Sequence, residues 1–428
     1  MKNIIINRKF FPILITAISG VFFIASCNKA LPTATPIDYP SVNNSETSIG
    51  QMISTDTSYS FFAAAATKTG QLAQLNADST EFTVFVPTNN AFRVSGIPSI
   101  DALNTLPVQS LGGIVGYAII PGKQYLSSDI TPGGITPVMP NEQLPTSITI
   151  GQLPGTPLPL KLSTFPSASG GAFYDNNIPV TKPDIKLKNG VIHEVAAIVA
   201  PPSMVLKDAI SNNPNLNYFK AAIARADSGE TGLNRFDSLL NYAVTNMTVL
   251  APNDAAFQTL IFGLAFQSYL SHFSTPTATD TANAVATANG AVAAGPAFLS
   301  TNNVSTYLIR GVIAYHFLAT YNPMDTSYQP NIRVFSNNFP STPGIFYTTL
   351  VNNSVPPSLQ PGIMVHATFS GPFVSQLQFT GLGPLGPGVT PYSGKAANAA
   401  VSPITHLVTD NHAVNGVYYV IDKVLLPQ

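Results

Sequence analysis

The sequence predicts an α+β protein in which one domain occurs twice in tandem. Two segments carry the same order of motifs, and these motifs combine short β-branched or aromatic runs with helical apolar spacing. The 37 prolines and 30 glycines among 428 residues indicate many turns. Hydrophobic residues make up 45% of the chain, which is enough to fill a core in each copy.

The surface is expected to carry little charge. Charged residues make up only 9% of the chain, well below the roughly 25% found in ordinary soluble domains. The formal net charge is −1, and no basic stripe stands out. A nucleic-acid partner therefore has no electrostatic support. A neutral surface rich in hydroxyl groups suits contacts with polysaccharide or with other proteins.

The first repeated motif joins a buried strand to the start of a helix. Residues 82–92 read FTVFVPTNNAF and residues 247–257 read MTVLAPNDAAF, and the two segments align without a gap. The β-branched and aromatic run that starts at Thr83 predicts a buried strand. Thr88 and Asn253 stand where the N-cap of a helix is expected. Each copy is therefore expected to contain a strand, a cap and a short helix in that order.

The second repeated motif is a closing strand that follows an Asn-Gly pair. Residues 189–201 read NGVIHEVAAIVAP and residues 415–427 read NGVYYVIDKVLLP. Asn-Gly predicts a tight turn, because both residues tolerate positive φ. Between the two motifs lie IVGYAII at 114–120 and VIAYHFL at 312–318, so the order is the same in both copies. Before the first motif, residues 204–226 predict two amphipathic helices separated by an Asn-Pro turn.

Together these segments resemble the conserved motifs of the fasciclin (FAS1) family, over about residues 49–202 and 203–428. The resemblance implies two tandem FAS1-like domains, each a β-wedge of two sheets with helices packed at one end. Tyr315 and His316 match the family's central Tyr-His motif, which has been linked to adhesion, whereas the first copy has alanine after its tyrosine. Core packing is the favoured interpretation of Tyr315 and His316, and an adhesion motif is the alternative.

The N-terminus predicts export and a lipid anchor. Residues 2–9 contain three basic side chains, and residues 10–24 form an apolar run, which is the pattern of a secretory signal peptide. The sequence IASC that ends at Cys27 resembles a bacterial lipobox, which implies removal of residues 1–26 and acylation of Cys27. An ordinary signal peptide with a chance cysteine is the alternative. Residues 27–48 are rich in Pro, Ser, Thr and Asn and predict a flexible tether.

The second copy is longer than the first, and two insertions at about residues 262–303 and 370–403 account for the difference. The first insertion contains a low-complexity Ala/Thr stretch. Both insertions are expected to be surface loops, because long loops cost little extra entropy. Tolerated decoration is the favoured interpretation, and a binding surface is the alternative.

No motif supports catalysis or a bound metal. HExxH, GxSxG, GxGxxG and P-loop sequences are absent from the chain. Among the six histidines, only His406 and His412 lie close together, on either side of Asp410. A polar loop before the last strand is favoured there over a metal site. We therefore expect no enzymatic activity, no cofactor and no metal.

The expected function is that of a membrane-anchored adhesion or recognition lipoprotein. It would be held by lipid in the cell envelope, at the outer membrane, and would bind extracellular protein or polysaccharide through exposed faces and loops. One alternative is a glycan-capture accessory lipoprotein of an outer-membrane uptake system, and another is an envelope spacer without a ligand. A cluster of exposed Tyr or Phe side chains would favour glycan capture, since sugar rings stack on aromatic rings.

Overall fold

The computed structural model describes residues 46–130, 143–152, 157–300, 304–383, 393–395 and 410–427. The expected signal peptide, Cys27 and most of the expected tether lie outside these residues. The end of the tether is already part of the fold, because Ser48 is buried and its Oγ accepts a hydrogen bond from the backbone N–H of Gln51 at 3.2 Å. Ser48 thereby caps the first helix.

The first copy alternates a helical part with a strand-rich part. Its described helices are α1 (Ile49–Thr55), α2 (Ser60–Lys68), α3 (Asn89–Val94), α4 (Ile100–Thr105) and α5 (Val108–Ala118). Its described strands are β1 (Phe82–Pro87), β2 (Ile119–Pro121), β3 (Leu144–Gln152), β4 (Pro159–Thr164), β5 (Pro166–Ser169), β6 (Ala172–Asp175), β7 (Ile178–Leu187) and β8 (Gly190–Val195).

The second copy follows the same order with additional helices. Its described helices are α6 (Leu206–Ser211), α7 (Asn217–Ala226), α8 (Phe236–Asn241), α9 (Asp254–Leu270), α10 (Ala278–Ala293) and α11 (Thr306–Tyr315). Its described strands are β9 (Met247–Pro252), β10 (Thr320–Asn322), β11 (Ser327–Gln329), β12 (Ile345–Tyr347), β13 (Ile363–Ser370), β14 (Phe373–Thr380), β15 (Ser393–Lys395), β16 (Asn411–Ala413) and β17 (Gly416–Ile421).

The first and last strands of each copy lie side by side. In the first copy β1 pairs in parallel with β8, within a six-stranded sheet ordered β2-β1-β8-β7-β6-β5, and β3 pairs with β4 in a second sheet. In the second copy β9 pairs in parallel with β17, in the order β16-β17-β9, beside a second sheet ordered β12-β13-β14-β15. The predicted α+β class and the tandem arrangement are confirmed.

The central strand of each copy is buried on both faces, so its side chains alternate between two cores. In the second copy Met247 and Val249 pack among the helices, whereas Leu250 packs against the β12–β15 sheet. In the first copy Val84 packs among the helices and Phe85 packs against β3 and β4. The uninterrupted apolar run of the first motif therefore serves a helical core on one side and a sheet core on the other.

The threonine shared by both copies of the first motif makes the same pair of hydrogen bonds in each. The hydroxyl of Thr83 donates to Lys123 O at 2.9 Å and accepts from Tyr125 N at 2.8 Å. The hydroxyl of Thr248 donates to Ile332 O at 2.7 Å and accepts from Val334 N at 2.9 Å. A single side chain thus ties the central strand to the segment beside it in both copies.

The asparagine of the second motif acts through its side chain, and not through the positive φ expected of it. In the second copy Asn415 Oδ1 accepts from Leu206 N at 2.7 Å, and Nδ2 donates to Leu240 O at 2.9 Å and Tyr242 O at 3.1 Å. Asn189 makes the equivalent three bonds in the first copy. Neither asparagine has positive φ, although the turns themselves form. Each asparagine therefore ties the closing strand to two segments of its copy: the start of the first helix, and the helical turn that lies just before the central strand.

We expect Asn415→Ala to lower the free energy of unfolding by about 3 kcal/mol, because it removes the partner of two buried backbone groups, Leu206 N–H and Leu240 O. Urea unfolding followed by circular dichroism measures the change. Asn212→Ala is the matched control, since Asn212 is an exposed residue at the end of α6 and its loss should cost less than about 0.5 kcal/mol. Equal losses in the two variants would contradict this role of Asn415.

The expectation of a surface loop at 262–303 was wrong for most of that segment. Helix α9 continues to Leu270, and the low-complexity stretch forms the 16-residue helix α10. Alanine is the best helix former, and Ala284 and Ala288 bury one face of α10 at an i, i+4 spacing. Thr277 and Asp280 form a capping box at its start, which is a signal visible in the sequence.

The second insertion is only partly described. Within the expected loop at 370–403, residues 373–380 form strand β14 and residues 393–395 form β15. Strand β14 pairs with both β13 and β15, so the insertion extends the second sheet of this copy. Residues 384–392 and 396–403 lie outside the described part of the chain.

Candidate functional site

Tyr315 and His316 are buried in the core of the second copy. The Tyr315 hydroxyl donates to Gly362 O at 2.6 Å, which ties the end of α11 to the start of β13. His316 Nδ1 lies 2.7 Å from Val312 O, and Nε2 lies 3.1 Å from the N–H of Leu425. These partners require a proton on Nδ1 and a free lone pair on Nε2. Both side chains are therefore placed to hold the core together, which is the interpretation favoured from the sequence.

We expect His316 to make the fold sensitive to acid. Burial lowers the pKa of His316 to about 4, from an ordinary value of 6.5. Because the unfolded chain takes up this proton first, the stability is fully present above pH 6.5 and is lost as the pH falls towards 4. The loss amounts to about 3 kcal/mol. Urea unfolding of wild type and His316→Gln at pH 7 and pH 4 should show this loss in wild type only, and parallel curves would contradict it.

The two copies pack against each other along a seam of buried side chains, and residues Ser45–Gln428 form one compact unit. Aromatic and polar contacts cross this seam. Hydrogen bonds between the copies join Asn177 Nδ2 to Asp410 Oδ2 (3.0 Å), Tyr174 Oη to Pro372 O (2.7 Å), Asn337 Nδ2 to Ser167 Oγ (3.1 Å), Asn338 Nδ2 to Ser167 Oγ (2.9 Å) and, at an exposed position, Asn246 Nδ2 to Gln143 Oε1 (3.1 Å).

A buried arginine lies at the centre of the seam. The guanidinium of Arg333 stacks over the ring of Phe165 from the first copy, 4.3 Å from the ring centroid. Its Nη1 lies 2.8 Å from His412 Nε2, and its Nη2 donates to Val414 O at 2.8 Å. Burial lowers the pKa of Arg333 to about 9. Burial, and then the charge of Arg333, lower the pKa of His412 well below its usual value, so His412 is neutral and accepts from the arginine.

Each copy contributes one carboxyl group with a raised pKa to the seam, the buried Asp175 and the partly buried Asp410. Asp410 is well supplied with donors, because it accepts from Ser336 N at 2.7 Å, from Ser336 Oγ at 2.6 Å and from Tyr419 Oη at 2.6 Å. Asp175 has fewer partners: Oδ1 accepts from the hydroxyl of Thr164, and Oδ2 has no hydrogen-bond partner among the described residues. Burial raises the pKa of Asp175 to about 7.

An open cleft of 820 Å³ runs along the outer edge of the seam, with walls from both copies. The first copy contributes the β5–β6 turn around Gly170, together with Tyr174. The second copy contributes residues 338–342 and the β13–β14 hairpin around Thr368. None of the described residues that line the cleft is Asp, Glu, Lys or Arg. The cleft therefore presents hydroxyl, amide and backbone groups and the imidazole of His366 beside aromatic rings, without a carboxylate, ammonium or guanidinium group.

A second and larger pocket of 1560 Å³ lies at the helical end of the second copy. Its walls come from α9, α10 and α11, so the insertion at 262–303 builds part of it. The lining is predominantly aliphatic and aromatic. Tyr307 and Leu308 at its mouth are 82% and 65% exposed.

The histidine pair singled out in the sequence is not brought together as a site within the described part of the chain. His406 lies outside that part, and His412 is bound to Arg333. Across the described ranges, no group of three or more His, Cys, Asp or Glu side chains is arranged to hold a metal ion. None of the described helices is long and apolar enough to cross a membrane.

The seam and the cleft were missed by sequence reasoning. Their residues come from segments around 117, 165–177, 333–342 and 410–414, which no motif connects. Asn337, Asn338 and Asp410 resemble ordinary polar loop residues in the sequence, and only the packing of the two copies buries the first two and partly covers the third. The sequence does contain one usable signal. Because only 9% of the residues are charged, a buried Arg or Asp side chain is more notable in this chain than in an ordinary one.

Residues 57–201 match the family model for the fasciclin domain. No curated protein matches the chain. Among solved structures, a FAS1 domain pair from the insect cell adhesion molecule fasciclin I is similar to 86% of this chain and 96% of its own, with 12% identity and a TM-score of 0.31. The first copy is thus matched directly, and the second repeats its parallel strand pair, its threonine and its asparagine. Residues 57–201 of this chain therefore belong to the fasciclin domain family.

Proposed function

We propose that this chain is a lipid-anchored adhesion or recognition protein of the bacterial cell envelope, and that it binds a neutral polysaccharide in the cleft between its two copies. The proposal combines the lipobox-like sequence at Cys27 with the fasciclin domain and the uncharged cleft. The observation that carries it is the cleft itself, because both copies supply polar groups, and no Asp, Glu, Lys or Arg side chain among the described residues, to one concave surface.

The chemistry of the cleft favours a carbohydrate over a charged ligand. Sugar hydroxyl groups both donate and accept, and they can meet the serine and threonine hydroxyls and the backbone groups of the glycine turns. Gly170, Gly171 and Gly371 all have positive φ, and a Cβ built on any of them would meet no atom within 4 Å. The turns therefore leave room for a ligand close to the backbone. Phe369 adds a partly exposed aromatic ring at the cleft.

The seam supports recognition by both copies together. The hydrogen bonds between the two copies hold the two walls of the cleft in place before a ligand arrives. A binding surface that is already formed loses less conformational entropy on binding than two domains on a loose linker would. A ligand-free spacer needs no such cleft, so the recognition role is favoured over that alternative.

Binding of the full chain to an array of neutral and charged polysaccharides tests this function. We expect binding to neutral glycans, and we expect Thr368→Trp to weaken it by about tenfold or more, because the ring would fill the cleft. Thr181→Trp is the matched control, since Thr181 is also an exposed strand residue but lies outside the cleft. The absence of glycan binding, or equal binding by the two variants, would overturn the proposal.

The anchor requires its own experiment. Palmitate labelling of growing cells should modify wild type and not Cys27→Ser, and protease treatment of intact cells should release peptides from 46–428. Labelling with full protection from protease would place the domains inside the envelope and would rule out adhesion to other cells. Unlabelled wild type would rule out the lipid anchor.

A further inference from the structure

We propose that the apolar pocket of the second copy binds the acyl chain of a free lipid. This pocket is separate from the cleft, and the two have no lining residue in common among those described. It is a deep concavity and not a flat patch, because buried core residues such as Phe257, Ile261 and Leu299 form its floor. Its volume of 1560 Å³ exceeds the roughly 300–1000 Å³ of typical small-molecule sites.

The lining contains no free charge that would favour a polar ligand. Among the described residues that line the pocket, Arg310 is the only Arg, Lys, Asp or Glu. Its Nη1 donates to Ala226 O at 3.2 Å, its Nη2 donates to Asn234 O at 2.7 Å, and its Nε lies 3.6 Å from a carboxylate oxygen of Glu230. Because the guanidinium already has protein partners, a ligand inside the pocket gains most by burying apolar surface.

A glycine on α11 keeps the pocket open. Gly113 and Gly311 each lie four residues before the tyrosine of their copy, so they occupy equivalent positions. In the first copy a Cβ on Gly113 would lie 3.5 Å from Pro201, which means that the position is in contact with the protein. In the second copy a Cβ on Gly311 would meet no atom within 4 Å. The second copy therefore has open space at a position that Pro201 fills in the first copy.

A slender, flexible occupant fits this geometry better than a folded partner. The pocket is bounded by several helices, and its floor reaches the helical core, so a protein surface would contact only the rim. Tyr307 and Leu308 lie exposed at the mouth, on the same helix as Gly311. These two side chains can cover the part of an acyl chain that remains outside. Scattered exposed apolar residues are ordinary, but exposed apolar residues that border a deep apolar pocket mark a binding site.

Fluorescence titration with N-phenyl-1-naphthylamine, a neutral apolar probe, tests this inference on the full chain carrying Cys27→Ser, so that no anchor competes. We expect saturable binding that hexadecanol displaces. Gly311→Phe should weaken the binding by about tenfold or more, because its ring fills the pocket. Gly263→Phe is the matched control on α9, since Gly263 also has open space but does not line the pocket, and it should bind as wild type does.

A second variant guards against a folding defect in Gly311→Phe. Leu308→Asp changes an exposed residue at the mouth, and it should weaken probe binding while leaving the circular dichroism spectrum unchanged. Thr368→Trp should bind the probe normally, which separates this inference from glycan binding in the cleft. Absence of saturable binding, or equal binding by Gly311→Phe and Gly263→Phe, would overturn it. A third outcome would also overturn it. If the probe does not bind and the protein forms a concentration-dependent dimer that Leu308→Asp disperses, the pocket is a contact between two molecules of this chain.

Discussion

Gly190→Ala is expected to lower the free energy of unfolding by about 4 kcal/mol, because it adds backbone strain to a clash within the central sheet. Gly190 has φ of +145°, a conformation that L side chains rarely adopt. A Cβ on this residue would lie only 1.9 Å from Phe82 O, its partner across the parallel pair β1–β8. Neither strand can move aside without breaking contacts in both cores of the first copy.

Gly70→Ala separates the strain from the clash. Gly70 also has positive φ, at +74°, but a Cβ there would meet no atom within 4 Å. We therefore expect it to cost only about 1–2 kcal/mol. Urea unfolding monitored by circular dichroism measures both variants. Equal losses would show that the close approach of β1 and β8 does not restrict position 190 to glycine.

Asp175→Asn is expected to gain about 4 kcal/mol of stability relative to wild type between pH 4 and pH 8. Burial raises the pKa of Asp175 to about 7, whereas the ordinary value is 3.8. The folded state therefore holds the proton more tightly than the unfolded state does. The stability that this provides is fully present below pH 3.8 and is lost as the pH rises through 7. The asparagine does not titrate, so the variant does not undergo this loss.

The difference between the two urea unfolding free energies, taken at several pH values, isolates this carboxyl group. His316 and other titrating groups are common to both proteins, and their contributions cancel to the extent that they do not interact with Asp175. A difference that rises steadily with pH is the expected result. A difference that stays constant from pH 4 to pH 8 would mean that Asp175 has a charged partner when the protein is folded, and the description of the seam would be wrong.

The fold could be predicted from the sequence because its main signals are local and repeated. The strand that starts at Phe82, the caps at Thr88 and Asn253, and the paired helices before β9 all lie where the motifs predict them. The role of Asn189 was predicted incompletely, since its side chain bonds to residues more than a hundred positions away. Helix α10 was missed because its Ala/Thr composition lacks apolar periodicity.

The candidate sites could not be predicted in the same way. The cleft exists only where the β5–β6 turn of the first copy meets the β13–β14 hairpin of the second, and no pattern in either copy predicts that meeting. Arg333 has no carboxylate neighbour in sequence or in the described structure, and its burial follows from the stacking of Phe165 across the seam. Tyr315 and His316, which a motif did predict, turned out to be core residues.

Hydrogen–deuterium exchange with and without a bound neutral polysaccharide shows whether both copies form one recognition surface. We expect slower exchange in residues 169–174 of the first copy and in residues 338–342 and 366–372 of the second, all at the same ligand concentration. Protection confined to one copy, or located away from these three segments, would contradict it.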